Sequence, residues 1–217
     1  MKEALISASC VCAVVLAGGR ATRMGGVDKG LQLFRGQTLA SIALGRLHQQ
    51  AGGAPGLIAI NANRNQALFA SLGVPVWPDS VPDYAGPLAG FLAAMRQCAG
   101  RYDYLLSVPC DSPLFPLDLL TRLSAALVAE QADIAMAMAP EVQEDGSTLL
   151  RPQPVFCLMR TSLADSLQAF IDGGGRKIGA WTASHKQIKL GFNAAGDDAH
   201  AFANTNTLDE LHALENS

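Results

Sequence analysis

Residues Ala13 to Gly36 read AVVLAGGRATRMGGVDKGLQLFRG. The first residues, Val14, Val15 and Leu16, form a continuous bulky apolar run, the pattern of a strand covered on both faces. Glycines at 18, 19, 25 and 26 follow, removing side chains where a ligand must approach backbone. Successive N–H groups in such a loop form an anion-binding concavity, and Arg20, Arg23 and Lys29 bring the positive charge that neutralises phosphate oxygens. A glycine-rich surface turn accounts for the glycines but not for the basic residues threaded among them. Neither GxxxxGK[ST] nor GxGxxG occurs in the stretch, so it is neither a Walker A loop nor a dinucleotide fingerprint.

Outward from this loop, apolar runs alternate with helix-period segments, the sign of βαβ units around a parallel sheet. Strands are expected at Ala13 to Leu16, Leu57 to Asn61, Val74 to Trp77, Tyr104 to Val108, Ile134 to Met138 and Val155 to Met159. Helical stripes of core residues lie between them: Leu39, Ile42 and Leu47; Leu88, Phe91, Leu92 and Met95; Leu119, Leu120, Leu123 and Leu127; Leu163, Leu167 and Phe170. The polar stretch Ala139 to Leu150 reads as a mobile surface loop. Thr207 and Glu210 form a capping box ahead of a last helix. The fold class is α/β: a three-layer α/β/α sandwich with a Rossmann-like, mostly parallel sheet. Met1 to Ser9 reads as a short disordered lead-in, and 10–217 as one domain. As a secretory signal the N-terminus is poor, because Glu3 offsets Lys2 and the apolar run is too short.

The 217 residues suffice for a core that buries about 70% of the unfolded surface. With 49% hydrophobic but only 6% aromatic residues, that core is aliphatic. A net charge of −3 argues against nucleic acid as partner, and no apolar run approaches the roughly 18 residues of a membrane span. Five cysteines without a CxxC pair suit neither a disulfide framework nor a structural zinc site, so a reducing cytoplasm is expected. The histidines at 48, 185, 200 and 212 lack metal spacing, and GxSxG and HExxH are missing, which leaves hydrolase chemistry without support.

In open parallel sheets, ligands bind beyond the carboxyl ends of strands. Four apolar runs end in polar or glycine positions there: Leu16 before Gly18, Ile60 before Asn61, Trp77 before Asp79, and Val108 before Asp111. Each alone is an ordinary turn residue; a common edge is what turn chemistry does not predict. Asp111, between Pro109 and Pro113, is a carboxylate suited to Mg²⁺, which takes oxygen ligands and shares them with phosphates.

The loop LAGGRATRMGGVDKG resembles the signature of nucleotidyltransferases that activate a phosphorylated substrate with an NTP, and among them the molybdenum cofactor guanylyltransferases. Matches recur in INANR, WPDS, YAGPLAG, PCDSP and NTNTLDEL. The resemblance implies a nucleotide-diphospho-sugar-transferase type of fold and transfer of GMP from GTP to molybdenum-bound molybdopterin. Lys29 and Arg23 would hold the departing pyrophosphate, and Asp111 would bind Mg²⁺ at the α-phosphate. It also implies that Leu16, Ala17, Gly18, Gly19, Lys29, Asn61, Asp79 and Asp111 line the nucleotide pocket, with Asn61 and Asp79 at base and ribose and the Tyr84 to Leu88 segment completing its wall. Asn204 and Asn206 stand either near pterin or metal or as helix caps; Arg176 and Lys177 either close on a phosphorylated pterin or form a solvated basic turn. A monomer is expected, in transient contact with a molybdenum-delivery protein or apo-molybdoenzyme. Rival readings are a cytidylyltransferase acting on the same pterin, from which LAGG and GPLAG depart, a sugar-phosphate or cobinamide-phosphate nucleotidyltransferase, a non-catalytic cofactor carrier and a general nucleotide-binding module.

Overall fold

A computed structural model describes residues 6–18, 28–81, 86–143, 145–205 and 210. In chain order the elements are β1 (Val11–Leu16), β2 (Leu33–Phe34), β3 (Gln37–Thr38), α1 (Leu39–His48), β4 (Leu57–Asn61), α2 (Gln66–Ala70), β5 (Val76–Trp77), α3 (Pro87–Cys98), β6 (Tyr104–Pro109), α4 (Leu119–Ala129), β7 (Ile134–Val142), β8 (Thr148–Arg160), α5 (Ala164–Asp172), α6 (Ile178–Thr182) and β9 (Gln187–Gly191). Seven strands form one sheet in the order β5-β4-β1-β6-β8-β7-β9. Its pairings are parallel except where β8 runs antiparallel between β6 and β7.

All six residues of β1 are buried, because the strand lies in mid-sheet with helices on both faces. Its side chains alternate between two cores, as the twofold period of a strand requires. Val11, Ala13 and Val15 join α1, α4 and Phe69 of α2 on one side, while Cys12, Val14 and Leu16 join α3, α5 and Trp181 of α6 on the other. The three-layer arrangement follows. The helix starts use local chemistry: Thr38 Oγ1 accepts from Ser41 N at 3.2 Å at the head of α1, and Pro87 opens α3, where an N–H would have no helical partner.

Ala139 to Leu150 is no free loop: β7 runs on to Val142 and β8 starts at Thr148, with Met138 opposite Pro152 and Val142 opposite Thr148. Pairing between the two strands satisfies a backbone whose side chains are mostly exposed, so burial imposes no readable period on them. The edge strand β9, parallel to β7, was also unforeseen; its only hint is Ile188 and Leu190 flanking Lys189. Within the lead-in, residues 6–9 are ordered rather than disordered. Ala8–Cys10 forms a 3₁₀ turn, Ala8 O accepts from Gly56 N at 2.9 Å, and Ile6 packs on the core. Thr207 of the capping box lies outside the described residues, while Glu210 is helical. Among the described residues no helix is long and apolar enough to cross a membrane.

Past β9 the chain is clamped to α4. Arg122 holds Asp197 through two bonds of 2.7 and 3.1 Å, donates to Gly191 O at 3.0 Å, and lies 3.9 Å over the Phe192 ring. The guanidinium keeps the Asp197 carboxyl below the ordinary carboxylate range, mainly by hydrogen bonding. A depressed carboxyl adds stability that is complete above its unfolded value and drains as pH falls through its folded value. Asp197→Asn should therefore lower unfolding free energy by about 1–2 kcal/mol at neutral pH in urea titrations. The gap to the unmodified protein should narrow on acidification toward pH 3; a gap that widened would contradict the assignment.

Candidate active site

At the carboxyl edge of the sheet, strand order reverses around β1, which has β4 on one side and β6 on the other. Backbone bonds tie the three strand ends together. Ala17 N donates to Asn61 O at 2.9 Å, and Cys110 N donates to Leu16 O at 3.1 Å. The loops carrying Gly18, Asn61 and Asp111 are thereby fixed next to one another, at the kind of crevice where α/β sheets bind nucleotides.

On the β4 side, Asn61 is 3% exposed. Its Nδ2 donates to Trp77 O and to Asp79 Oδ1, both at 3.0 Å, which fixes the orientation of the amide because both partners are acceptors. The remaining polar atom, Oδ1, faces Gly18 and Gly90: a Cβ at Gly18 would lie 3.5 Å from it, and one at Gly90 only 2.5 Å. Gly90 therefore serves close approach, letting α3 press against the Asn61 amide. Asp79 is braced a second time, since Asn63 Nδ2 donates to Asp79 Oδ2 at 2.7 Å and Asp79 N donates to Asn63 Oδ1 at 2.8 Å.

On the β6 side, Lys29 Nζ donates to Asp111 Oδ2 at 3.0 Å, with the side chains 29% and 20% exposed. The pair joins residues 82 positions apart. Lys29 rides on a 3₁₀ turn, Lys29–Leu31, and Asp111 follows the end of β6. Thr205, buried to 1%, donates to Asp111 O through its backbone N (2.9 Å) and its Oγ1 (3.1 Å). Ser112 Oγ donates to Asn204 Oδ1 at 2.5 Å. Thus the 204–205 segment stands beside the aspartate. Next in the chain, the Cys110 thiol is pushed up by burial first and by the Asp111 charge second, so it stays protonated at neutral pH.

Of the residues picked out from the sequence, Leu16, Ala17, Gly18, Asn61 and Asp79 form one group, and Lys29 with Asp111 a second, across the end of β1. Arg23, Gly19, Tyr84 and Asn206 lie outside the described residues. Arg176 is engaged locally, donating to Ile171 O at 2.9 Å and Gly175 O at 2.8 Å at the end of α5. Sequence reading passed over Asn63, Asp28, Arg64, Asn65 and Thr205. Their signal was visible as the amide-rich INANRN and the Asp preceding Lys29, but side-chain bonds between loops leave no periodicity.

Asp111 is a fitting holder for a divalent cation of the oxygen-seeking kind: partly exposed, fastened through its backbone, and with Oδ1 not engaged by Lys29. Among the described residues there is no group of three or more His, Cys, Asp or Glu side chains able to cage a metal. A cation here would have to complete its shell from phosphates and water, the habit of Mg²⁺.

The fold and this edge define a nucleotidyltransferase. Residues 13–188 match the MobA-like NTP transferase domain, and the chain belongs to that family. It is 56% identical over 213 residues to the molybdenum cofactor guanylyltransferase of Albidiferax ferrireducens, covering 98% of this chain and 99% of that one. With the protein of the same name from Acidovorax ebreus it shares 56% over 212 residues, 97% and 98% of the two chains. Among solved structures, the molybdopterin-guanine dinucleotide biosynthesis protein A of Archaeoglobus fulgidus superposes with a TM-score of 0.71 at 20% identity, covering 94% of this chain and 97% of the other. The 4-diphosphocytidyl-2C-methyl-D-erythritol synthase of Anaerococcus prevotii gives 0.72 at 8% identity over 95% and 94%. These two likenesses concern the fold; a shared fold leaves the choice of base open.

Gly90→Ala tests the close packing of α3 on Asn61. The added methyl would meet Asn61 Oδ1 at 2.5 Å and Leu16 Cδ2 at 2.9 Å, an overpacking expected to cost about 1–3 kcal/mol in denaturant titrations. GTP affinity by calorimetry should fall with it; full affinity in the variant would show that Asn61 has no bearing on the nucleotide.

Proposed function

We infer that the protein transfers GMP from GTP to molybdenum-bound molybdopterin, yielding the guanine dinucleotide cofactor and pyrophosphate. The observation that carries the reading is the Lys29–Asp111 pair at the carboxyl edge of β1, facing the braced Asn61–Asp79 amide and carboxylate, in a chain 56% identical to a molybdenum cofactor guanylyltransferase. The terminal phosphate of the pterin attacks the α-phosphorus in line. An oxygen–phosphorus bond forms there as the bond to the β-phosphate breaks, and both electrons leave with pyrophosphate. No general base is needed, because the attacking phosphate is already ionised at neutral pH.

Lys29 supplies positive charge to the β- and γ-phosphates, assisted by Arg23 from the preceding glycine-rich sequence, and so stabilises charge as it develops on the leaving group. Asp111 would hold Mg²⁺, which when bound neutralises phosphate oxygens and orients them for in-line displacement. Thr205 keeps the Asp111 carbonyl in place through two hydrogen bonds. Gly18 leaves room for sugar and phosphate, and the backbone of Leu16 and Ala17 lines the base. With both amide donors of Asn61 consumed inside the protein, its Oδ1 offers only an acceptor. Asp79 likewise presents only acceptors. Acceptors suit the paired N1–H and N2–H₂ donors of guanine or a ribose hydroxyl; adenine, with an unprotonated N1 and no N2 amine, offers only its N6–H₂ and leaves one acceptor unmatched. The protein works as a monomer in the cytoplasm, with 10–217 as one domain, and passes its product to an apo-molybdoenzyme.

Pyrophosphate release, measured with each of the four NTPs, Mg²⁺ and molybdopterin, should be confined to GTP; release with CTP alone would transfer the assignment to a cytidylyltransferase. Lys29→Ala and Asp111→Ala should each lower turnover by about 10²–10³-fold while the far-ultraviolet spectrum and melting transition are kept. Turnover near normal in either would remove that residue from the mechanism.

A further inference from the structure

Asp28, directly before Lys29, is 4% exposed. A carboxylate so withdrawn from water is costly unless its charge and lone pairs are matched. Both oxygens are matched here. Arg64 Nη2 donates to Oδ1, and Asn65 Nδ2 donates to Oδ2 at 2.7 Å. Arg64 and Asn65 belong to the segment that leaves β4 immediately after Asn61 and Asn63, so the bonds join two loops 36 and 37 residues apart.

The backbone at both ends is committed as well. Asp28 O accepts from Leu31 N at 3.0 Å and Lys29 O accepts from Gln32 N at 3.0 Å, which closes the 3₁₀ turn bearing Lys29. Asn65 sits at φ 48, the left-handed region that asparagine tolerates better than most residues, and its O accepts from Phe69 N at 3.1 Å at the head of α2. Phe69 is fully buried, and its ring lies 3.1 Å from where a Cβ on Gly30 would stand. The Lys29 turn is therefore riveted by Asp28 on one flank and pressed against α2 on the other. A cation for Asp28 is a poor alternative, since its oxygens already serve two donors and its side chain is only 5% exposed.

We propose that Asp28 is a positioning residue: gripped by Arg64 and Asn65, it fixes the turn from which Lys29 reaches the triphosphate site opposite Asp111. The proposal rests on the guanylyl transfer reading for what Lys29 touches. It separates the residue's influence on the polyphosphate from any influence on guanosine, because the side chain that Asp28 orients lies on the β6 side of the end of β1 and the Asn61–Asp79 group on the β4 side.

The experiment combines Asp28→Asn, Arg64→Gln and Lys29→Ala, with GTP and GMP affinities by calorimetry in Mg²⁺, and hydrogen exchange of the Leu31 and Gln32 amides without nucleotide. Asp28→Asn and Arg64→Gln should each weaken GTP about tenfold and leave GMP within about twofold, and neither should weaken GTP further in the Lys29→Ala background, because neighbouring residues acting through one group are not additive. Both variants should also speed exchange at the two amides. Equal losses for GTP and GMP, full additivity with Lys29→Ala, or unchanged exchange would each overturn the positioning role. An unmodified protein that does not bind GTP would count against guanylyl transfer, and amide exchange would still decide the role of Asp28. Arg64→Gln changes a half-exposed side chain, so the test survives if Asp28→Asn does not fold.

Discussion

The site depends on the lateral bonding of β1 to both of its neighbours where the three strands end. Leu16 O receives the Cys110 N–H and Ala17 N reaches Asn61 O. Those bonds convert three chain segments, from widely separated parts of the sequence, into one rigid rim. Burial of β1 on both faces makes the register hard to shift, because a slip by one residue would exchange the side chains delivered to the two cores. Everything polar at the rim inherits that rigidity.

Above the rim, charge and amide chemistry are divided. The β4 side is built from neutral amides bracing one carboxylate, with each donor of Asn61 spent within the protein. The β6 side holds a cation and an anion in contact, partly open to solvent. Such a division suits a nucleotide, whose base and sugar are recognised by hydrogen-bond pattern and whose phosphates are recognised by charge. Side-chain bonds from Asp28 to Arg64 and Asn65, and from Thr205 to Asp111, then connect the loops to one another rather than to the sheet. Preorganisation of this kind is what lets fixed charge act on a transition state without reorganising during the reaction.

How far the sequence could be read differs from element to element. β1, β4 and β6 were legible as short apolar runs, and α1, α3 and α4 as stripes at helical spacing, because burial on one or two faces imposes a period on the chain. β5 shrank from the expected four residues to Val76–Trp77, where only two residues find partners on β4. The upper part of the β7–β8 hairpin escaped because it stands clear of the core and is held by backbone bonds to which hydropathy is blind, and β9 because only Ile188 and Leu190 of its five residues pack on the core, too short a pattern to read as a strand.

Lys29 and Asp111 were each legible as phosphate and metal chemistry from their immediate neighbours, a glycine-rich basic loop in one case and the end of an apolar strand between prolines in the other. Their contact at 3.0 Å was not, nor was the fate of Asp28 beside them. By itself the sequence determined the α/β class, the edge on which the polar residues gather and the family, because these follow from local pattern and from motifs that survive as strings of letters. Only the tertiary structure decided which side chains are spent on bracing and which remain for a ligand. Hydrogen-bond partners separated by 16 to 94 residues are chosen by the packing of loops across the sheet, and no local rule encodes that choice.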